Sequence, residues 1–384
     1  MKNDFFFERA FRSFFVGGVG FAVVAMAVWW WQFPQTTMGL SGVSGVTWHA
    51  HEMVFGYALA IVAGFLLTAV MNWSGMNTAS GWRLGLVVGF WLAARLGYLL
   101  DLPISWVALF DLAFNLGLVW HFAWPVWKKR LRAQAGLVVL FMAVFMANAS
   151  FYLNVHQAWP WVNESLILGL FLVLTINLTM IRRLVPFFTE KALGLAPFKN
   201  SNSLDKAVII GFLGLMLVVV FSPITWLISL LAWPLALLFV IRQAWWYHPK
   251  IWSQLLLWPL HISHGFILLG LVLYGFVGLG WLPSTLAVHA LAAGGIGLLC
   301  SAMMARISLG HTQRNVFEPP KGLIWVFVLL ILAALFRVVL PIVWPQTSLL
   351  WIALSQWSWI LGFSLLLVLY WRILTTPVSS ANAS

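Results

Sequence analysis

The chain of 384 residues is 62% hydrophobic and only 8% charged, with a formal net charge of +12 at pH 7. A soluble domain carries roughly a quarter charged residues and about half apolar ones, so this composition excludes a soluble globular protein. The single cysteine, Cys300, excludes an intrachain disulfide and a cysteine-ligated zinc or iron–sulfur site.

Long apolar runs predict an all-α, polytopic integral membrane bundle of about 12 transmembrane helices. The apolar residues amount to about 238, close to the roughly 240 that twelve spans of about 20 residues need. The predicted spans cover residues 14–31, 49–70, 82–100, 103–124, 133–153, 163–182, 205–221, 224–241, 252–276, 283–304, 321–343 and 348–371. The remaining stretches are too short for a soluble domain, so residues 1–384 are predicted to form a single transmembrane domain.

The positions of lysine and arginine predict the orientation of the spans. Of the 21 such residues, all but Arg95 and Arg337 lie in tails, loops or flanks that are cytoplasmic when the N-terminus is cytoplasmic. The opposite loops contain none. Because positive residues are retained on the cytoplasmic side, we expect both termini in the cytoplasm. This placement of the cations also argues against nucleic acid as a partner.

Two ionisable residues lie on consecutive predicted helices, Arg95 and Asp111. They are about six and eight residues from the turn between those helices, hence roughly 10–12 Å deep at 1.5 Å per residue. An ionisable group at that depth costs several kcal/mol unless it is paired. We therefore predict a buried structural ion pair between Arg95 and Asp111.

Five of the nine histidines lie in or at the mouths of predicted spans, namely His49, His51, His261, His264 and His289. His261 and His264 fall about nine and twelve residues into the span 252–276, near the middle of the bilayer, and a spacing of three places both rings on one helical face. A single histidine in a bundle usually forms a hydrogen bond to a neighbouring helix. Imidazole also ligates haem iron and copper, and helical bundles build such sites from facing helices. The five together predict metal or haem ligation within the membrane.

Three sequence blocks resemble the NnrS family. The first is Trp48-His49-Ala50-His51-Glu52-Met53-Val54-Phe55-Gly56, continuing through Ala63-Gly64-Phe65-Leu66-Leu67-Thr68-Ala69-Val70 and Asn72-Trp73. The second is Arg183-Leu184-Val185-Pro186-Phe187-Phe188-Thr189, and the third is Ala305-Arg306-Ile307-Ser308-Leu309-Gly310-His311-Thr312. Their order, the length and the twelve-span plan fit the family, so the resemblance covers essentially the whole chain.

This resemblance implies a multi-pass protein of the bacterial inner membrane that contains haem and copper. It also implies a role in nitric oxide metabolism and in tolerance of nitrosative stress. We accordingly expect nitric oxide or NO-derived metal complexes, the lipid bilayer and an unidentified redox partner as its partners. The resemblance does not define a catalysed reaction, so whether the chain is an enzyme stays open.

Position in the chain, and not the family, suggests the role of each histidine. Two rings on one helix cannot reach opposite faces of one macrocycle, so His261 and His264 are predicted to chelate one copper ion or to serve two adjacent sites. His49 or His51, together with His289, are the candidate haem ligands.

Two charged residues are predicted to support these ligands. Glu52 follows His49 by one turn and is predicted to orient that imidazole as a hydrogen-bond acceptor. Arg337 has no obvious partner in the sequence, and we expect it to contact a haem propionate or a carboxylate such as Glu164.

Two other classes of function stay open. Glu52, Arg95, Asp111 and the histidines are also suited to line the path of a non-catalytic transporter or metal exporter. A haem-containing sensor or assembly factor is the second alternative. Haem that survives purification separates the first alternative from a haem protein, and turnover of nitric oxide separates the second from an enzyme.

Overall fold

The computed structural model describes residues 4–33 and 39–377, and helices dominate this part of the chain. Its α-helices are α1 (Ala10–Gln32), α2 (Gly45–His51), α3 (Leu59–Ser74), α4 (Trp82–Leu99), α5 (Ile104–Lys128), α6 (Ala135–His156), α7 (Val162–Leu193), α8 (Asn202–Phe221), α9 (Trp226–Trp246), α10 (Trp258–Gly278), α11 (Ser284–His289), α12 (Leu298–His311), α13 (Leu323–Val343) and α14 (Ser348–Thr375). A first π-helix (Glu52–Ala58) joins α2 to α3, and a second π-helix (Ala290–Gly297) joins α11 to α12. The short strands β1 (Gly39–Leu40) and β2 (Val43–Ser44) pair antiparallel before α2.

Eleven helical segments of the described residues are long and apolar enough to cross a membrane, which confirms the predicted polytopic helical membrane protein. Each π-helix lies inside one of these segments, together with the α-helices on either side of it. The predicted span 82–100 forms α4, which is not among the eleven. Arg83 and Arg95 lower the mean hydropathy of this helix. The side of the membrane on which each terminus lies stays a prediction.

Contacts divide the chain into two compact units. Unit 1 comprises residues 1–173, 311–314 and 367–384, and unit 2 comprises residues 174–310 and 315–366. A single transmembrane domain over residues 1–384 stays a prediction.

In unit 1, α1 packs closely against α3 because glycine leaves room for aromatic rings. A Cβ atom at Gly64 would lie 2.9 Å from a ring carbon of Phe15 and 3.0 Å from the Cβ atom of Phe14. Small residues at such positions allow two helix backbones to approach each other in a membrane. This contact holds α1 beside the segment that carries the first sequence block.

In unit 2, α10 packs against α9 on one side and against the second π-helix on the other. A Cβ atom at Gly275 of α10 would overlap the indole of Trp233 on α9, and one at Gly294 would overlap the ring of Phe266. Gly275 thus brings α10 close to α9, and Gly294 brings the second π-helix close to α10.

Local sequence explains where the helices with candidate site residues begin. Ser44 caps α2 by accepting a hydrogen bond from the Thr47 amide at 3.2 Å, and Ser201 caps α8 by accepting one from the Leu204 amide at 3.3 Å. α10 has Pro259 in its first turn, where a missing N–H costs nothing because the first amides have no intrahelical acceptor. These starts fix where His49, His51, Asp205, His261 and His264 fall along their helices.

Candidate functional site

His51 is the last residue of α2 and is completely buried. Its Nδ1 atom lies 2.8 Å from Glu52 Oε1, and its Nε2 atom lies 2.9 Å from Asn148 Oδ1 on α6. The ring stacks on Phe151, with the ring centroids 4.3 Å apart. Both ring nitrogens of His51 are therefore engaged by the protein itself.

The same side chains continue into a network of buried ions on α4, α5 and α6. Arg95 Nε lies 2.9 Å from Glu52 Oε2, and Arg95 Nη2 lies 2.5 Å from Asp111 Oδ1. Asn148 Nδ2 donates to Asp111 Oδ2 at 2.7 Å, and the Tyr152 hydroxyl donates to the same oxygen at 3.1 Å. We call His51, Glu52, Arg95, Asp111 and Asn148 the His51 cluster.

Hydrogen-bond roles in the His51 cluster determine where its protons are. Because Asn148 donates its amide nitrogen to Asp111, its oxygen faces His51, and Nε2 of His51 must carry the proton of that contact. The contact between Nδ1 and the Glu52 carboxylate needs a second proton. With that proton on either atom, the charges of His51, Glu52, Arg95 and Asp111 sum to zero, and the cluster is neutral. In this arrangement His51 has no lone pair to offer a metal.

His49 lies two residues earlier, where it is half-buried. Its ring stacks on Trp29 of α1, with centroids 4.7 Å apart and an angle of 12° between the ring planes. Glu52 does not contact His49, because its two oxygens face His51 and Arg95. The structure thus places Glu52 beside a different imidazole from the one expected from helical spacing.

His261 and His264 lie nearer to the end of a helix than the sequence suggests. α10 begins at Trp258, after a 3₁₀ turn at Pro249–Ser253, so the two histidines are three and six residues from its first residue. At 1.5 Å per residue this is only about 5–9 Å from the first residue of α10. Their expected position near the middle of the bilayer stays a prediction. The predicted span began six residues too early because residues 252–257, which end the turn and lead into α10, are largely apolar.

Each of these two rings accepts a hydrogen bond from α9. Arg242 Nη2 lies 3.1 Å from His264 Nε2, and Gln243 Nε2 lies 3.1 Å from His261 Nδ1. Gln243 Nε2 also donates to the His261 carbonyl oxygen at 3.4 Å, which is consistent with this orientation of its amide. A neutral imidazole has one lone-pair nitrogen, and in both rings that nitrogen is already occupied.

Arg242 connects these histidines to α7 and α8. Its Nη1 atom lies 3.9 Å from Asp205 Oδ1, and Arg182 Nη1 lies 3.4 Å from Asp205 Oδ2. The guanidinium carbon of Arg242 lies 5.0 Å from the ring centroid of Trp246, whose indole in turn packs edge-on to His264. We call Arg182, Asp205, Arg242, Trp246 and His264 the Arg242 cluster.

His289 has the geometry most typical of a metal ligand. It ends α11, and its Nδ1 atom lies 2.7 Å from the carbonyl oxygen of Thr285, one turn earlier. The carbonyl can only accept, so Nδ1 carries the proton and Nε2 carries the lone pair. Metal-binding histidines usually donate one ring N–H to a carbonyl or carboxylate in this way. The second π-helix begins at the next residue, and π-helices often occur at functional sites.

The remaining predicted residue, Arg337, is half-buried on α13. Within the described part of unit 2, no carboxylate lies within ion-pair distance of its guanidinium. Its expected contact with a propionate or a carboxylate stays a prediction.

Sequence reasoning missed Asn148, Asp205, Arg242 and Trp246. Asn148 had a usable signal, since it is an amide inside the apolar run 133–153. Asp205 and Arg242 fall at the ends of predicted spans, where charged residues are ordinary. Only the packing of α8, α9 and α10 shows that both are buried.

Residues 5–377 match the family model described as "NnrS protein". No curated protein matches the chain. Within residues 4–33 and 39–377, no group of three or more histidine, cysteine, aspartate or glutamate side chains could hold a metal ion.

Proposed function

Since the chain belongs to the NnrS family, we propose that it is a haem-binding protein that binds or processes nitric oxide or its metal adducts. The bacterial inner membrane, with both termini in the cytoplasm, is its proposed location. Eleven apolar helical segments support a multi-pass membrane protein. Nitric oxide is small and apolar, so it enters a bilayer without a polar channel.

The observation that carries the haem assignment is the ring of His289. Its Nδ1–H is held by the Thr285 carbonyl, which directs the lone pair of Nε2 away from its own helix turn. An imidazole fixed in this tautomer suits an axial ligand of haem iron. Haem bound there would supply an iron centre that binds nitric oxide. The role of the protein is to hold, orient and shield that group.

Copper receives no residues in this proposal. A copper ion needs lone pairs, and those of His261 and His264 accept hydrogen bonds from Gln243 and Arg242. The guanidinium of Arg242 also places a positive charge beside His264. His51 is engaged at both nitrogens. These residues do not fit a copper chelate in the observed arrangement.

The test is to purify the full-length chain in detergent and to record oxidised and dithionite-reduced absorption spectra with metal analysis of the same sample. We expect a Soret band that shifts when nitric oxide is added. His289→Ala should lower haem affinity by more than about tenfold, because removing the ligand costs more than removing only its hydrogen-bond partner. His156→Ala, at an exposed position at the end of α6, should leave the spectrum unchanged.

Wild-type protein expressed with an ample supply of haem, but with a flat visible spectrum, would contradict the proposal. A transporter would then be the better hypothesis. A normal spectrum in the His289→Ala variant would show that the protein binds haem but that His289 is not its ligand.

A further inference from the structure

The Arg242 cluster contains buried hydrogen-bond donors without acceptors. Arg242 is 1% exposed, yet its Nε and Nη1 atoms form no hydrogen bond to any described residue. The same holds for Nδ1 of His264 and for Nε1 of Trp246. Because His264 Nε2 accepts from Arg242, its Nδ1 carries a proton and is a donor. Buried donors without partners are rare, since each loses its hydrogen bond to water.

These donors belong to one group of touching side chains. The guanidinium of Arg242 stacks on Trp246 and donates to His264, and Trp246 packs against His264. A third ring, His261, adds a buried Nε2 atom that also lacks a partner among the described residues. For these four side chains the missing partners are acceptors of hydrogen bonds, whereas the buried Oε1 atom of Gln243, beside His261, lacks a donor.

The charges of the Arg242 cluster also indicate that an anion is missing. Arg182 and Arg242 share the single carboxylate of Asp205, which leaves one unbalanced positive charge. Arg183 and Glu190 line the adjoining cavity and add one charge of each sign, so the excess stays at +1. An uncompensated charge is unfavourable where it is buried, and the Arg242 side chain is 1% exposed. An anion with one negative charge would neutralise the cluster, as a proton neutralises the His51 cluster.

A cavity of about 290 Å³ reaches the cluster. It is lined by Arg182, Arg183, Pro186, Phe187, Glu190, Asn200, Asn202 and Asp205. Asp205 and Arg182 belong both to this lining and to the cluster, so a small ligand in the cavity meets the ion pair directly. Amide and guanidinium groups in the lining can donate further hydrogen bonds.

We propose that the Arg242 cluster binds a planar monoanion with two adjacent oxygens, namely a carboxylate, nitrite or nitrate. A guanidinium offers two parallel N–H groups that match an O–X–O edge, which favours this shape over a spherical anion. The anion has two possible sources, a free ion from water or the propionate of a bound haem. The site replaces the copper chelate that the spacing of His261 and His264 suggested, and only its haem-propionate source rests on the haem proposal.

The first experiment is a thermal unfolding series on the full-length chain as purified, with haem content recorded. Sodium formate, nitrite and nitrate are compared with sodium chloride at equal ionic strength. Trp246→Phe removes one donor and keeps an aromatic ring, and Trp245→Phe is the matched control next to it. For a free anion, the planar ions raise the melting temperature saturably, and Trp246→Phe weakens their affinity roughly tenfold, as expected for a hydrogen bond to an ion. Trp245→Phe should leave that affinity unchanged.

If the anion is a haem propionate, the salt series has no effect on the melting temperature, and the haem content falls in Trp246→Phe but not in Trp245→Phe.

Arg182→Gln gives a second variant at a side chain that is 23% exposed, where folding should survive. It neutralises the cluster, so either binding signal should fall by more than tenfold. Lys206→Gln, an exposed cation on α8, is its control. The proposal is overturned if neither signal changes in Trp246→Phe and Arg182→Gln relative to their controls. Wild-type protein without haem that still responds to the planar ions would separate this site from the proposed function.

Discussion

His51 Nδ1 lies 2.8 Å from Glu52 Oε1, and neither side chain has any exposed surface. One proton between these atoms makes the surrounding ions neutral, since Arg95 then balances Asp111. The His51–Glu52 motif first suggests metal ligation. In the structure, His51 and Glu52 contact each other, and Arg95 forms ion pairs with Glu52 and Asp111. The Arg242 cluster in unit 2 is the opposite case, with one more cation than carboxylates.

Removing the arginine of the His51 cluster should destabilise the protein strongly. Arg95→Gln leaves Glu52 and Asp111 buried without their common cation, and breaking a buried ion pair costs about 3–5 kcal/mol. Thermal unfolding in detergent should show a large drop in melting temperature. Arg83→Gln, an exposed arginine on the same helix, is the control and should change the melting temperature little. Equal shifts in the two variants would contradict the role of Arg95.

Asn148 should contribute to the stability of unit 1 because it forms hydrogen bonds with both His51 and Asp111. Asn148→Ala leaves the Nε2–H of His51 and one oxygen of Asp111 without partners, which should cost about 2–3 kcal/mol. Asn163→Ala, at an exposed position on α7, is the control. Denaturant or thermal unfolding measures both variants. A loss in Asn148→Ala no larger than in the control would show that the two hydrogen bonds contribute nothing.

Much of the helical plan was predictable because apolar length is a local property. The runs 205–221 and 224–241 become α8 and α9 with ends within a few residues of the prediction. The predicted start of the span 252–276 was less accurate, because hydropathy does not distinguish the largely apolar residues 252–257 from the helix that follows them. That difference places His261 and His264 only three and six residues from the first residue of α10.

The candidate site was less predictable than the fold, because its chemistry depends on contacts between helices. Adjacent helices allowed Arg95 and Asp111 to be matched, and their nitrogen and oxygen atoms lie 2.5 Å apart. Nothing in the spacing of His261 and His264 shows that Gln243 and Arg242 occupy their lone pairs. Whether a histidine pair attracts a cation or an anion is decided by those partners.

The second π-helix should tolerate no side chain at Gly294. A Cβ atom there would lie 2.2 Å from Phe266 Cγ, so Gly294→Ala should force backbone or ring shifts and cost about 1–3 kcal/mol. Gly265→Ala is the matched control on α10, where the new methyl meets no described atom within 4 Å. Alanine favours a helix over glycine, so this control should be neutral or stabilising. Unfolding temperatures that fall equally would refute the close packing.

The second and third sequence blocks meet through one cation–π contact in unit 2. The guanidinium carbon of Arg306 lies 4.1 Å from the ring centroid of Phe188, and Arg306 is 7% exposed. Such a contact is worth about 2 kcal/mol when it is desolvated and less than about 1 kcal/mol when it is exposed. The second and third blocks are far apart in the sequence, and this contact brings them together in the fold.

A double-mutant cycle with Arg306→Met and Phe188→Leu should therefore show a coupling of about 1–2 kcal/mol in the free energy of unfolding. The pair Lys199 and Trp245 is the matched control, because its ammonium lies 4.4 Å from the indole but Lys199 is exposed. Lys199→Met with Trp245→Leu should couple more weakly. If the two cycles give the same coupling, burial does not strengthen the Arg306–Phe188 contact, and the two blocks are held together by other packing.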